Sequence, residues 1–183
     1  MELSPIQIFK QDLNHVGFNM KEKVNAIANN EVTVDEVVKI ALSNEQPYAR
    51  FACWILTHYL DEVDKTALNE YVDKAIDFLP FPTHSGQTRE ILRWLTICDV
   101  KTDKLGQLLD FCLEVLPNNS LPVAVKIHAM TIIDTIAKLE PEIIPEFAAI
   151  LQDILPYTTV GGDNKIKKLL AKYAKQGHIE VLQ

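Results

Sequence analysis

Glycine is scarce, at 6 of 183 residues, and no stretch alternates apolar and polar residues over the length of a strand. Hairpins need both features, so a sheet-built fold is excluded. Cysteine is also sparse: Cys53, Cys98 and Cys112 form no CxxC pair and are odd in number. A disulfide framework is therefore not expected, and each reads as a small buried hydrophobe in a reducing compartment. No uninterrupted apolar run approaches the roughly 18 residues that span a bilayer, and MELSPIQIFK lacks the basic and apolar regions of a secretion signal. A cytoplasmic location is expected, and Asn118 of the NNS sequon then reads as a polar turn.

Basic charge is short as well. The chain has 18 Lys and Arg against 25 Asp and Glu, a formal net charge of −7. A protein that works by neutralising phosphates carries the opposite balance, so neither nucleic acid nor an anionic membrane is expected as partner. Catalytic and cofactor motifs are missing too. There is no GxxxxGK[ST], GxGxxG, GxSxG or HExxH, and His15, His58, His84, His128 and His178 are scattered. No metal, cofactor or enzymatic activity is expected. His58 with Glu62 one turn on reads as a surface pair rather than a catalytic dyad.

What the chain does contain is a repeat. Leu42, Leu79, Leu116 and Leu155 are spaced by 37, 37 and 39 residues, and the last three are each followed by proline. One residue before them stand Ala41, Phe78, Val115 and Ile154; four before, Val38, Ala75, Cys112 and Leu151; eight before, Val34, Tyr71, Leu108 and Phe147. These offsets share one side of a 3.6-residue helix. Proline cannot continue such a helix, so each LP marks a stop. A second ladder, Arg50, Arg89, Lys126 and Lys167, follows 8 to 12 residues after the leucines and opens another helical pattern each time. Two helices per period of about 39 residues predict an all-α, right-handed α-solenoid of about five hairpins, a single domain over 1–183. First helices are predicted near 4–14, 33–42, 66–79, 104–116 and 142–155, and second helices near 19–29, 46–60, 86–98, 122–139 and 163–175. Gly161-Gly162 is expected to form the turn before the last helix.

Two faces follow from this pattern. Positions two and six before each leucine carry Asp77, Glu114 and Asp153, and Glu36, Asp73 and Asp110, a solvated outer face. On the second helices, with the basic column as zero, offsets −1, +3, +7 and +10 are expected in the core and +1, +4, +5 and +8 on the open side. That open side would carry Phe51, Trp54, Ile55 and His58, then Glu90, Arg93, Trp94 and Ile97, then Ile127, Met130, Thr131 and Asp134. Phe51, Trp54, His58, Arg93, Trp94, Met130 and Asp134 are the candidate binding residues, because exposed Trp, Arg and Met supply large contact area with a polar handle. A rotation of about 40° would instead send the tryptophans into the core. The last helix, with five lysines against Asp163, reads as a polar terminal cap.

The paired pattern, as in IIPEFAAILQDILP followed by AVKIHAM, resembles HEAT repeats over nearly the whole chain. That resemblance implies a noncatalytic protein- or peptide-binding scaffold that uses its concave face, existing as a monomer or a weak homodimer. The chain also looks like short bacterial HEAT-like proteins sometimes labelled adenylosuccinate lyase, yet it has none of the Ser-Ser, Met-Pro or Asn-Pro of the lyases' SSxMPxKxNP-type loop. The alternative function is that of HEAT-like DNA glycosylases acting on alkylated bases, in which an aspartate follows a tryptophan by one turn inside a basic groove. Here His58 follows Trp54, Cys98 follows Trp94, and the one similarly placed acid is Asp134 after Met130.

Overall fold

A computed structural model describes residues 3–14, 17–101 and 103–180, so His15 lies outside the described residues. Among the described residues there are ten α-helices and no strand. The chain divides into two compact units, Met1–Thr102 and Asp103–Gln183. The first holds α1 (Pro5–Asp12), α2 (Met20–Ala28), α3 (Val34–Ala41), α4 (Tyr48–Glu62), α5 (Val72–Phe78) and α6 (Ser85–Ile97). The second holds α7 (Leu105–Val115), α8 (Val123–Ile136), α9 (Ile144–Ile154) and α10 (Val160–Lys175).

The leucine ladder marks where first helices end. Leu42, Leu79, Leu116 and Leu155 are the C-cap residues of α3, α5, α7 and α9, and Pro80, Pro117 and Pro156 follow three of them. The column four residues earlier, Val38, Ala75, Cys112 and Leu151, is buried in every repeat. α3 starts at a capping box in which Thr33 accepts from the Glu36 amide and Glu36 accepts from the Thr33 amide, which satisfies two of the donors a helix start leaves open. α5 is shorter than its pattern suggests. Asp64 accepts from the Thr66 amide and hydroxyl at 2.8 and 2.7 Å, holding a turn, and a 3-10 segment at Asn69–Tyr71 precedes the helix.

In the first unit α4 packs against α2, α3 and α6. A helix with three neighbours has little surface left over, and α4 buries seven residues, including Ile55 and Thr57. In the second unit α8 packs against α7 and α10, and α10 also against α9, where Phe147 and Tyr173 meet edge to face at 6.1 Å.

Gly161-Gly162 falls inside the first turn of α10, one turn earlier than expected for a connecting loop. A side chain at Gly162 would overlap the Thr158 hydroxyl and touch Val123 at 3.1 Å, whereas one at Gly161 would meet nothing within 4 Å. Gly162→Ala should therefore lower stability by about 1–3 kcal/mol through overpacking. Gly161→Ala should raise it by about 0.4–1 kcal/mol by restricting the unfolded chain. Urea unfolding of the two variants tests this pair; equal effects in one direction would contradict the close approach.

Candidate functional site

The outward strip of α4 is aromatic. Phe51, Trp54 and His58 follow one another along it, and Trp54 is 38% exposed. Phe18, from the segment leading into α2, completes the group. Its ring lies 5.1 Å from Phe51 and 6.1 Å from Trp54, both edge to face, and Trp54 lies 5.7 Å from His58. These contacts fix the rings while leaving part of the indole open. His58 Nδ1 is 3.1 Å from Glu62 Oε1, the surface pair expected from their spacing.

Cations border this strip. Arg93 of α6 pairs with Asp61, three residues beyond His58, which places it beside the end of the aromatic row. At the other end the Arg50 guanidinium lies over the Phe51 ring at 4.7 Å, and its Nη1 is 2.9 Å from His84 Nε2. His84 is the N-cap of α6, its Nδ1 accepting from the Gly86 amide at 3.0 Å. Gly86 fits there because a Cβ would press on that ring at 3.0 Å. Arg50, Trp54, Arg89 and Glu90 help to enclose a pocket of about 330 Å³ at this corner.

Two of the candidate binding positions are overturned. Trp94 is fully buried, not on the open side. With 100° per residue, the buried residues of α6 from Gln87 to Leu95 sweep an arc of roughly 200°, leaving Arg89, Arg93, Thr96 and Ile97 on the outward strip. Trp94 shares its side with Gln87 and Ile91, which face inward. Its Nε1–H finds no hydrogen-bond acceptor. Its neighbour is the Cys98 thiol, pushed up to about 12 by burial although its contact with the indole acts the other way. Met130 is also fully buried, because α8 is apolar most of the way round and its pattern gives no outward direction. Ile55 and Glu90, grouped with the open side, are buried as well.

Asp134 lies in the second unit and is engaged. It accepts from Lys172 Nζ at 2.5 Å and from the Tyr173 hydroxyl at 2.7 Å. Burial works against its charge, but these two donors outweigh it and hold the carboxyl below the usual carboxylate range. A depressed acid supports folding above its unfolded pKa and loses that support as pH falls through the folded value. Asp134→Asn should accordingly be less stable than the parent at pH 7, with the difference shrinking progressively below about pH 4. Denaturant midpoints at a series of pH values check this, and a pH-independent difference would contradict it.

Phe51, Trp54, His58 and Arg93 are thus brought together on one face of the first unit. Pattern reading missed the corner itself: Arg50 and Arg89 stood out as a basic column and Glu90 as an outward residue, but nothing in their spacing showed that they share a cavity. No group of three or more His, Cys, Asp or Glu is placed to hold a metal ion among the described residues. Nor is any described helix long and apolar enough to cross a membrane.

Helical hairpins that repeat every 37 to 41 residues, with aligned caps and a shared core column, define an α-helical repeat protein. A family model for the HEAT repeat domain matches residues 13–171, and the chain belongs to that family. No curated protein and no solved structure matches it, and nothing supports the adenylosuccinate lyase label.

Proposed function

We propose that this protein is a noncatalytic peptide-binding module whose recognition surface is the outward face of α4 and α6 in the first unit. The observation that carries this reading is the aromatic row of Phe18, Phe51, Trp54 and His58, held edge to face and flanked by Arg50 and Arg93. Partly exposed aromatic and arginine side chains are what interface hot spots are made of. The acid spaced like that of the glycosylases, Asp134, is tied to Lys172 and Tyr173, and the net charge is negative, so the reading does not extend to DNA.

Peptide display on the full-length protein tests the proposal. Selected peptides should bind the parent and lose about tenfold or more in affinity to Trp54→Ala, a hot-spot effect. The same variant should stay within about 1 kcal/mol of the parent in stability, since a partly exposed ring leaves no closed cavity when truncated. Failure to select any peptide, or selected peptides indifferent to Trp54→Ala, would overturn it.

A further inference from the structure

Two guanidinium groups line the pocket at the corner of α4 and α6, and the protein supplies one carboxylate for the pair. Glu90, buried beneath them, accepts from Arg89 Nε at 2.9 Å and Nη2 at 2.6 Å, so its charge is taken by Arg89. Arg50 has no carboxylate within ion-pair distance among the described residues. Its guanidinium lies over the Phe51 ring, its Nη1 is 2.9 Å from His84 Nε2, and its Nη2, unlike the enclosed Nε, is open to water without an acceptor. Arg89 likewise keeps Nη1 open. His84 adds to this excess of donors. Because its Nδ1 accepts from the Gly86 amide, the ring proton sits on Nε2 and points at an Arg50 N–H. Two donors face to face repel, and an oxygen that accepts from both relieves them.

We propose that this pocket binds a carboxylate of a peptide partner, its oxygens accepting from the open amino groups of Arg50 and Arg89. The proposal rests on the peptide-binding reading above and names what that surface recognises. Charge selects the class of ligand. With Glu90 offset by Arg89, the corner keeps the one positive charge of Arg50, which a single carboxylate neutralises. A phosphomonoester brings about two negative charges and would leave one uncompensated above the buried Glu90, and an ammonium would face both guanidiniums. A polyanion would also meet a chain of net charge −7. The planar fork of arginine matches a carboxylate, and stacking on Phe51 holds the Arg50 fork in place before the ligand arrives. Phe51 and Trp54 wall a space of about 330 Å³, so an apolar group beside the carboxylate has somewhere to lie.

The test uses four small probes: 3-phenylpropionate, its amide, phenyl phosphate and phenethylammonium. Each is titrated into the isotope-labelled full chain while the Trp54 indole and the α4 and α6 amide resonances are followed. Phenylpropionate should bind at least about tenfold more tightly than the other three, and Arg50→Gln should weaken it by about tenfold. On the unaltered chain, raising sodium chloride from about 0.05 to 0.5 M should weaken it at least about threefold, a check that needs no variant to fold. Preference for the amide, the phosphate or the ammonium, equal binding of all four, no binding, or indifference to both Arg50→Gln and salt would each overturn the carboxylate assignment. The source of the carboxylate is read from the selected peptides. Loss of binding on amidation of the C-terminus identifies the terminal carboxylate, and loss on replacing Asp or Glu by its amide identifies a side chain. The two proposals fail separately. Selected peptides that depend on Trp54 but survive both changes would sink the carboxylate alone, whereas phenylpropionate binding without any selectable peptide would sink the peptide module alone.

Discussion

Replacing Trp94 with alanine should remove about 3–5 kcal/mol of stability, whereas Trp54→Ala should remove no more than about 1. The two residues are forty positions apart, each in the first turns after the basic column of its repeat, and the sequence pattern placed both on the open side. Trp94 is fully buried on the side of α6 that also carries Gln87 and Ile91, and truncation there leaves a cavity the size of an indole. A loss of that size is a large part of the 5–15 kcal/mol that ordinarily holds a domain together, so partial unfolding at 37 °C is expected. Guanidinium denaturation followed by circular dichroism separates the two variants; equal small losses would mean that Trp94 is not enclosed.

The second large effect is expected at Gln87. Its Nε2 donates to the carbonyls of Ala41 and Ser43, both at 2.8 Å, and its Oε1 accepts from Gln46 Nε2 at 2.7 Å. Ala41 ends α3, and the last carbonyls of a helix have no partner within it. Thus a side chain from α6 caps the helix that opens the preceding repeat. Gln87→Leu keeps much of the volume but strands those carbonyls in a buried place. At about 1–3 kcal/mol per orphaned buried group, and with Cys53 Sγ still donating to Ala41 at 3.3 Å, the expected loss is about 2–4 kcal/mol. Gln46→Ala should cost less than about 1 kcal/mol, because Gln46 is partly exposed and supplies one bond. Unfolding midpoints of the two variants give the comparison, and a neutral Gln87→Leu would show that the network contributes nothing net.

The helices were legible because their signals are local. Leucine before proline fixes a helix end through one residue's missing amide and its effect on the residue before, and the predicted segments lie within about three residues of every helix end except the start of α5. Gly161-Gly162 misled because glycine usually interrupts a helix, whereas here close packing against Thr158 and Val123 requires Gly162 inside one. Side-chain direction was legible for most of α4, where Phe51, Trp54 and His58 lie on the outward strip but Ile55 is buried, and illegible for α6 and α8. Trp94, Glu90 and Met130 sit on helices buried over such wide arcs that a two-sided pattern no longer indicates which way a residue points. The pocket was hidden for another reason. Its lining residues Arg50 and Glu90 are forty positions apart, and only the packing of α4 on α6 makes them neighbours of one pocket.

The three thiols turn the protein into its own clock. Cys53, Cys98 and Cys112 are all buried, and burial pushes Cys98 up to about 12 and holds Cys53 and Cys112 well above the ordinary thiol value. Only a thiolate attacks an alkylating reagent, so at pH 8 the closed protein is inert and modification waits for an opening fluctuation that wets the sulfur. The rate at which each cysteine is alkylated then measures how often its surroundings breathe. Cys53 and Cys98 sample the first unit and Cys112 the second, so mass spectrometry of the native chain reads the opening frequency of each half without a single engineered label.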